Sequence, residues 1–522
     1  MFQKHGRRRF LTAAGTLAGA LAASRIPACA WPARQAQTEY PFTLGVASGE
    51  PEPFGVVLWT RLAPQPLEPG GGMPAGSVQV EWEIGTDPDL TRVVQRGADT
   101  ATPEDGHSVH IEVTGLEPAR PYWYRFRANT ELSPIGRTKT APPPDSSPAR
   151  LAFAFASCQN YENGHYTAYQ HMAGDDLDIV LHLGDYIYEG APRDGQPRRH
   201  IGPEPVDLDT YRMRYALYKS DPDLRAAHAA FPWIVTWDDH EVDNDYAGDQ
   251  SQDFDDPVAF LARRAAAYKA YWEHLPLRRN ARPGGPDLLL YRRFSFGDLA
   301  EFNVLDTRQY RDDQACGGDA EGGGQVVPAG DCPQLADPGR TILGADQMRW
   351  LLDGLGHTQA RWNVLAQQYR MAELDEEPGP GVGYWTDDWD GYQADRARIL
   401  SFFEQAGTSN PVTIGGDIHS FWVNDLKPDF RDPASPVVAS EFVGTSISSS
   451  GVPYDEFAAF LPDNPHIKFF DSRLRGYVRC TVTPQLLTAD LQVLDTVETP
   501  GAPARTLATY AVEHNRPGPQ PA

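Results

Sequence analysis

The chain has 522 residues, too many for one compact core, so two or more domains are expected. Hydrophobic residues make up 41% and charged residues 22%, which excludes wholesale disorder, a coiled coil and a collagen-like fibre. The 46 Lys and Arg against 71 Asp and Glu leave a net charge of −25, which repels polyanions and argues against nucleic-acid binding.

The first thirty residues read as an export address. Arg7-Arg8-Arg9-Phe10-Leu11 leads into a small-residue apolar stretch from Leu11 to Ala23, and Ala28-Cys29-Ala30 offers a cleavage site. Consecutive arginines before Phe-Leu resemble a twin-arginine signal, with an ordinary Sec signal as the alternative. Residues 1–30 are thus expected to engage the twin-arginine export machinery, leaving a periplasmic or secreted protein. Ile26-Pro27-Ala28-Cys29 faintly resembles a lipobox, which Pro27 disfavours. No later run approaches about 18 apolar residues, so no stable membrane span is expected.

Residues 40–140 alternate with the period of strands and read as an N-terminal β-sandwich. Val56 to Arg61, Val78 to Ile84, His110 to Val113 and Tyr122 to Phe126 are its clearest strands, and Leu116-Glu117-Pro118 before Tyr122-Trp123-Tyr124 resembles the tyrosine corner of fibronectin-type domains. The Pro-rich stretch 141–150 reads as a stiff linker. From Leu151 short apolar strands alternate with helices, an α/β pattern: Leu151–Cys158, Asp178–Asp185, Phe231–Asp239, Asn363–Ala366 and Val412–Asp417 as strands, Val258–His274 and Ala345–Leu355 as helices. The strand-rich region Val437–Leu494 points to a second sheet packed on the first, and residues 499–522 read as a Pro-rich peripheral tail. Cys316 and Cys332 flank a Gly-rich acidic insertion that a disulfide can close, whereas Cys480 reads as a buried small residue.

Polar residues gather where the strands of the 151–498 domain end, the place where open α/β sheets build their sites. The first strand delivers Cys158, the second Gly184-Asp185-Tyr186-Ile187-Tyr188-Glu189, the third Asp238-Asp239-His240-Glu241 through Asp245, and the fifth Gly416-Asp417-Ile418-His419. A lone Gly-Asp is commonly a turn, and Asp-Asp-His-Glu alone suits a helix N-terminus. Together the four make sense as a two-metal site: Asp185 can bridge two cations, His419 offers a neutral imidazole, and Asp239 and Asp417 offer hard oxygens. Two apart, Asp417 and His419 would share one face of an extended strand. Cys158 and Tyr188 lose their protons only to a strongly Lewis-acidic cation, and a thiolate, a phenolate and a carboxylate suit a trivalent iron.

These motifs, with Leu305-Asp306-Thr307-Arg308-Gln309-Tyr310-Arg311, resemble the PhoD-type alkaline phosphatases of the calcineurin-like metallophosphoesterases. The resemblance covers nearly the whole chain and implies two packed mixed sheets flanked by helices, preceded by an all-β fibronectin-like sandwich. It implies Fe³⁺ held by Cys158, Asp185, Tyr188 and His419, and Ca²⁺ facing Asp185, Asp417 and either Asp239 or Asn244, the other positioning phosphate. The implied reaction is hydrolysis of phosphomonoesters or phosphodiesters by a metal-activated hydroxide or oxide, with His240 as general acid or else an outer support. Arg308 grips a phosphate oxygen or pairs at the surface; Tyr477 closes the site or packs in the core. A phospholipase-D-like or teichoic-acid phosphodiesterase and a non-enzymatic Ca²⁺-binding adhesion or carbohydrate-binding protein are the competing readings. Serine-hydrolase, P-loop and zincin signatures are missing.

Overall fold

Short runs in which every residue is apolar suit strands covered on both faces, and the computed structural model, which describes residues 39–253, 255–317 and 322–522, covers them so. Strand Leu151–Ala156 is buried along its whole length. Leu151, Phe153 and Phe155 enter a core shared with a second sheet, whereas Ala152, Ala154 and Ala156 face helices. The alanines let the helices lie close, and the large side chains fill the space between sheets. Strand Ile179–Leu183 divides in the same way, with Val180 toward the helices.

The two main sheets have ten and seven strands. In the larger, Leu151–Ala156, Ile179–Leu183 and Pro232–Thr236 are parallel neighbours; in the smaller, so are Ala300–Val304, Trp362–Ala366 and Pro411–Gly415. Pro232 is the first residue of its strand, a position where a missing N–H is tolerated. Helices Leu208–Lys219 and Pro257–His274 cover the larger sheet, and Gly344–His357 and Gln393–Ala406 the smaller. The layers run helix, sheet, sheet, helix, the α/β architecture expected from the sequence.

The N-terminal β region shares a sheet with the α/β domain. Val78–Gly85, Val93–Ala101 and Pro121–Ala128 belong to a five-stranded sheet of their own. The layer facing it, Val46–Glu52, Gly55–Arg61 and Ser108–Thr114, continues the ten-stranded sheet, with Ser48 and Gly49 paired in parallel to Pro232 and Trp233. Glu50, buried at this seam, pairs with Arg278 and Arg292. The tyrosine corner is present: Tyr122 Oη accepts the Glu117 N–H at 2.8 Å.

Two expectations change. The strands after Val437 divide between the sheets: Ala439–Val443 and Ile467–Asp471 join the smaller, Gly476–Val482 and Leu486–Leu494 the larger. The stretch 499–522, expected as a tail, contains strands Ala504–Glu513 and Arg516–Pro521 at the edge of the larger sheet. Proline cannot donate to a neighbouring strand, so Pro517, Pro519 and Pro521 are accommodated on the outermost one.

Cys316 and Cys332 form a disulfide, and Cys158 and Cys480 are buried free thiols. No helix among the described residues is long and apolar enough to cross a membrane. The signal expected over 1–30, with Cys29, lies outside the described residues.

Candidate metal centre

The parallel strands of both sheets end at one crevice, and each hands over a polar side chain within a few residues. Cys158 follows Leu151–Ala156, Asp185 follows Ile179–Leu183, Asp239 follows Pro232–Thr236, and Asp417 and His419 follow Pro411–Gly415. Cys158, Asp185, Asp417 and His419 have φ of 59°, 57°, 62° and 54°. Left-handed backbone costs a residue with a side chain roughly 1 kcal/mol, so the fold holds four strained positions at one place. Asp417 and His419 therefore share a turn, where the spacing alone suggested one strand face. Gly184 permits the crowding: a Cβ there would stand 2.6 Å from Asp238 Cβ.

Three groups of donor atoms result, each within 4.8 Å: Cys158, Asp185 and His419; Asp185, Asp239 and His240; Asp239, Asp245 and Asp387. Asp185 and Asp239 each belong to two groups. Tyr188 completes the first, donating Oη to Asp185 Oδ2 at 2.7 Å and meeting His419 Nε2 at 3.0 Å. His419 Nδ1 donates to the Ser450 carbonyl at 2.8 Å, which leaves Nε2 as the lone-pair nitrogen. Burial, then the charge of Arg475, lowers the His419 pKa to about 3, so the imidazole is neutral.

The donor set fits a cation. Asp185 Oδ1 is buried with no hydrogen-bond partner among the described residues, a costly state for an acceptor-only oxygen. Burial raises the Asp185 carboxyl well above its usual range; His240 opposes this, while Asp239, Asp238 and Glu241 add to it. Burial and the charges of Asp185 and Asp417 push the Cys158 thiol up, and burial with Asp185 and Cys158 does the same to Tyr188. Asp417 is raised by burial and by Asp238, Asp239 and Asp185. A bound cation reverses this logic, because it supplies the charge that such groups lack.

His240 behaves differently. Burial lowers its pKa, yet Glu189, Asp239 and Asp185 together raise it well above the ordinary histidine value. Nδ1 meets Glu189 Oε2 at 2.8 Å, and the ring lies 4.1 Å from that of Tyr188. Asn244 places its backbone N–H on Glu189 Oε1 and its side-chain amide nitrogen on Gln252 Oε1. Asp239 has a carboxylate oxygen in one group with Asp185 and His240.

Several residues were not legible as part of this centre. No helix follows Asp238, so Glu241 is not a first-turn acid; its carboxylate accepts the N–H groups of Asp185, Tyr186 and Asp238 and ties two loops together. Asp245 sat unassigned within its motif. Asp387 lies in Trp385-Thr386-Asp387-Asp388, whose likeness to Trp237-Asp238-Asp239 was the available signal.

Arg308 is a correction. It is fully buried, with no surface to offer a phosphate: Nε donates to Asp238 Oδ1 at 2.7 Å, Nη1 and Nη2 donate to Asp387, and Asp239 Oδ2 lies 3.3 Å away. It is neither a phosphate grip nor a surface pair but a buried counter-charge that positions carboxylates. Arg308→Met strands those carboxylates and is expected to cost about 3–5 kcal/mol, read from urea unfolding. An unchanged unfolding midpoint with a raised KM would return Arg308 to the substrate. Tyr477 packs in the core, its Oη donating to Asp175 Oδ2 at 2.7 Å.

Comparison with known proteins agrees with this layout. A family model described as PhoD-like phosphatase matches residues 153–491, and one for the PhoD-like phosphatase N-terminal domain matches 28–142. Alkaline phosphatase D of Bacillus subtilis (strain 168) is 48% identical over 524 residues, covering 98% of this chain and 88% of that protein. A solved structure of PhoD superposes with a TM-score of 0.89 at 48% identity, over 93% of this chain and 92% of that one. Purple acid phosphatase PPD1 from yellow lupin shares the fold alone, with a TM-score of 0.56 at 11% identity over 91% of this chain and 74% of that one. Matched in order through both parts and identical at nearly half its positions to an alkaline phosphatase D, the chain belongs to the PhoD-like phosphatase family.

Proposed function

We propose that this chain is an exported, metal-dependent alkaline phosphatase that hydrolyses phosphomonoesters, phosphodiesters or both. The observation that carries the reading is Asp185, which belongs to two donor groups and whose Oδ1 is buried with no hydrogen-bond partner among the described residues. Cys158, Asp185, Tyr188 and His419 would hold Fe³⁺. Asp185, Asp239 and Asp417 would face Ca²⁺, and Asp245 and Asp387 extend the carboxylate set beyond Asp239. Bound there, such cations supply Lewis acidity, acidifying water and neutralising phosphoryl oxygens.

The chain's own groups do the rest. His240 is the general acid: Glu189 engages Nδ1, which leaves Nε2 to protonate the departing oxygen. Asn244, beside it, positions phosphate. Glu241 keeps the Asp185 and Asp238 loops in register. Residues 1–30 are the twin-arginine signal, a reading supported by sequence.

Elemental analysis of the purified chain is expected to find iron and calcium. Removing iron, or chelating calcium with EGTA, should abolish turnover of chromogenic phosphomonoesters and phosphodiesters. In Cys158→Ser, iron retention should weaken and the visible charge-transfer band should shift. Turnover that survives both removals overturns the reading, and a fully metallated chain that cleaves no phosphate ester favours a binding protein.

A further inference from the structure

Helix Leu208–Lys219 supplies no donor to the metal centre, yet the face it turns inward is tipped with polar atoms. Tyr211, Arg214 and Tyr218 stand at i, i+3 and i+7, so they share one stripe, and each is at most 1% exposed. A tyrosine or arginine buried on such a stripe has to find partners for its polar end. The partners here are backbone atoms of the loops that carry the proposed ligands.

Tyr218 Oη meets the most of them. It accepts the Tyr188 N–H at 3.0 Å and, three residues after Cys158, the Tyr161 N–H at 3.1 Å. Its third contact is His200 Nε2 at 2.9 Å. His200 Nδ1 donates to the Gly190 carbonyl at 3.0 Å, and burial, then Arg214, lowers the His200 pKa to about 4. Nε2 of this neutral ring therefore accepts the Tyr218 O–H. The hydroxyl is used in full, with two N–H groups received and one proton given.

Arg214 takes the other side of the same residue. It donates to the Tyr188 carbonyl, and to the Gly190 and Pro203 carbonyls at 3.1 Å each. Both polar backbone atoms of Tyr188 are thus held from one helix, one turn apart. Tyr211 Oη donates at 2.5 Å to the carbonyl of Val242, in the loop of Asp239 and His240, and accepts Arg263 Nε at 3.0 Å.

A ligand loop that can shift leaves its donor atom out of place, and groups outside the ligands set metal affinity by preventing this. We propose that this stripe is a rack that fixes the Cys158, Tyr188 and Asp239 loops against one another, with Tyr218 and Arg214 as positioning residues for the Tyr188 and Cys158 donors. This rests on the assignment of Cys158 and Tyr188 to iron under Proposed function.

The test uses the full chain as purified. Tyr218→Phe removes one oxygen and keeps the ring. Tyr215→Phe is the control: it lies on the same helix, and its buried hydroxyl has no partner among the described residues. In Tyr218→Phe, amide exchange should quicken about tenfold in segments 158–163 and 186–190, the scale of one lost hydrogen bond. Iron affinity, read by competition with a chelator, should fall about tenfold or more, and the visible band should move. Exchange in the smaller sheet should stay as in the wild type, which a general loosening would not allow. Tyr215→Phe should match the wild type in all three readouts. Arg214→Met should loosen 186–190 and leave 158–163 unchanged, and it carries the test if Tyr218→Phe does not fold. Wild-type exchange in the folded variants overturns the rack. Faster exchange with wild-type iron affinity and band also overturns it, leaving the stripe a purely structural role, as does loss of folding in both. A wild-type chain that holds no iron overturns the iron reading and the positioning with it, while exchange still shows whether the helix grips the loops.

Discussion

Asp185→Asn is expected to abolish iron retention and to cut phosphate-ester turnover by at least about 10²–10³-fold, the scale for removing one preorganised electrostatic group. The substitution keeps the shape of the side chain and removes only its charge and one acceptor. That is what the geometry isolates: Oδ2 already serves the Tyr188 hydroxyl, and Oδ1 has no partner among the described residues. An amide nitrogen at either position brings a proton where a cation would sit. Asp185 also has oxygens in both the Cys158–His419 group and the Asp239–His240 group, so its loss should empty more than one position. Cys480→Ser is the control. Cys480 is a buried free thiol in the core between the sheets, and its loss should leave metal content and turnover unchanged. Equal iron in the two variants would sink the assignment of Asp185.

The second large effect concerns stability. Lys219 ends helix Leu208–Lys219 and is buried with no ion pair among the described residues. Its ammonium faces the Trp59 ring, 4.3 Å from the centroid, and Tyr186 Oη at 3.4 Å. Those contacts and the helix C-terminus favour the cation only in part. Burial lowers the pKa from 10.5 to about 7. The unfolded chain therefore holds this proton up to about pH 10.5 and the folded chain only to about pH 7. Between those limits folding expels a proton, so this group makes stability rise with pH across the window and adds no slope outside it. At ~1.36 kcal/mol per unit the full span is about 3–5 kcal/mol. Urea unfolding at about pH 6 and about pH 9 should show the rise in the wild type and lose that part of it in Lys219→Met, which should be the more stable protein at the lower pH. An identical pH slope in the two proteins would remove Lys219 as its source.

Much of the site was readable because the physics that wrote it is local. A run such as Leu151–Ala156, apolar throughout, has to be a strand covered on both faces, and the residue after it has to emerge at the strand end. The same reasoning placed Asp185, Asp239, Asp417 and His419 at one crevice before their distances were known. Arg308 was misread for the converse reason. Its sequence neighbours include Asp306 and Asp312, but the carboxylates it pairs with, Asp238 and Asp387, are 70 and 79 residues away. The tail from 499 was misread because proline signals the absence of a donor, and both a disordered end and an outermost strand satisfy that.

The order of residues by itself determined the elements and the family: strand periods, the Gly-Asp turns, and the four motifs that fill the strand ends. Only the tertiary structure decided which strands join which sheet, so that the sandwich grows out of the larger sheet through Ser48 and Pro232. It alone brought Asp245 and Asp387 to Asp239 and set Arg308 among them. Hydrophobic periodicity acts between neighbours in sequence and survives in a one-dimensional reading. Charge acts through distance and burial, and those exist only once the chain has folded.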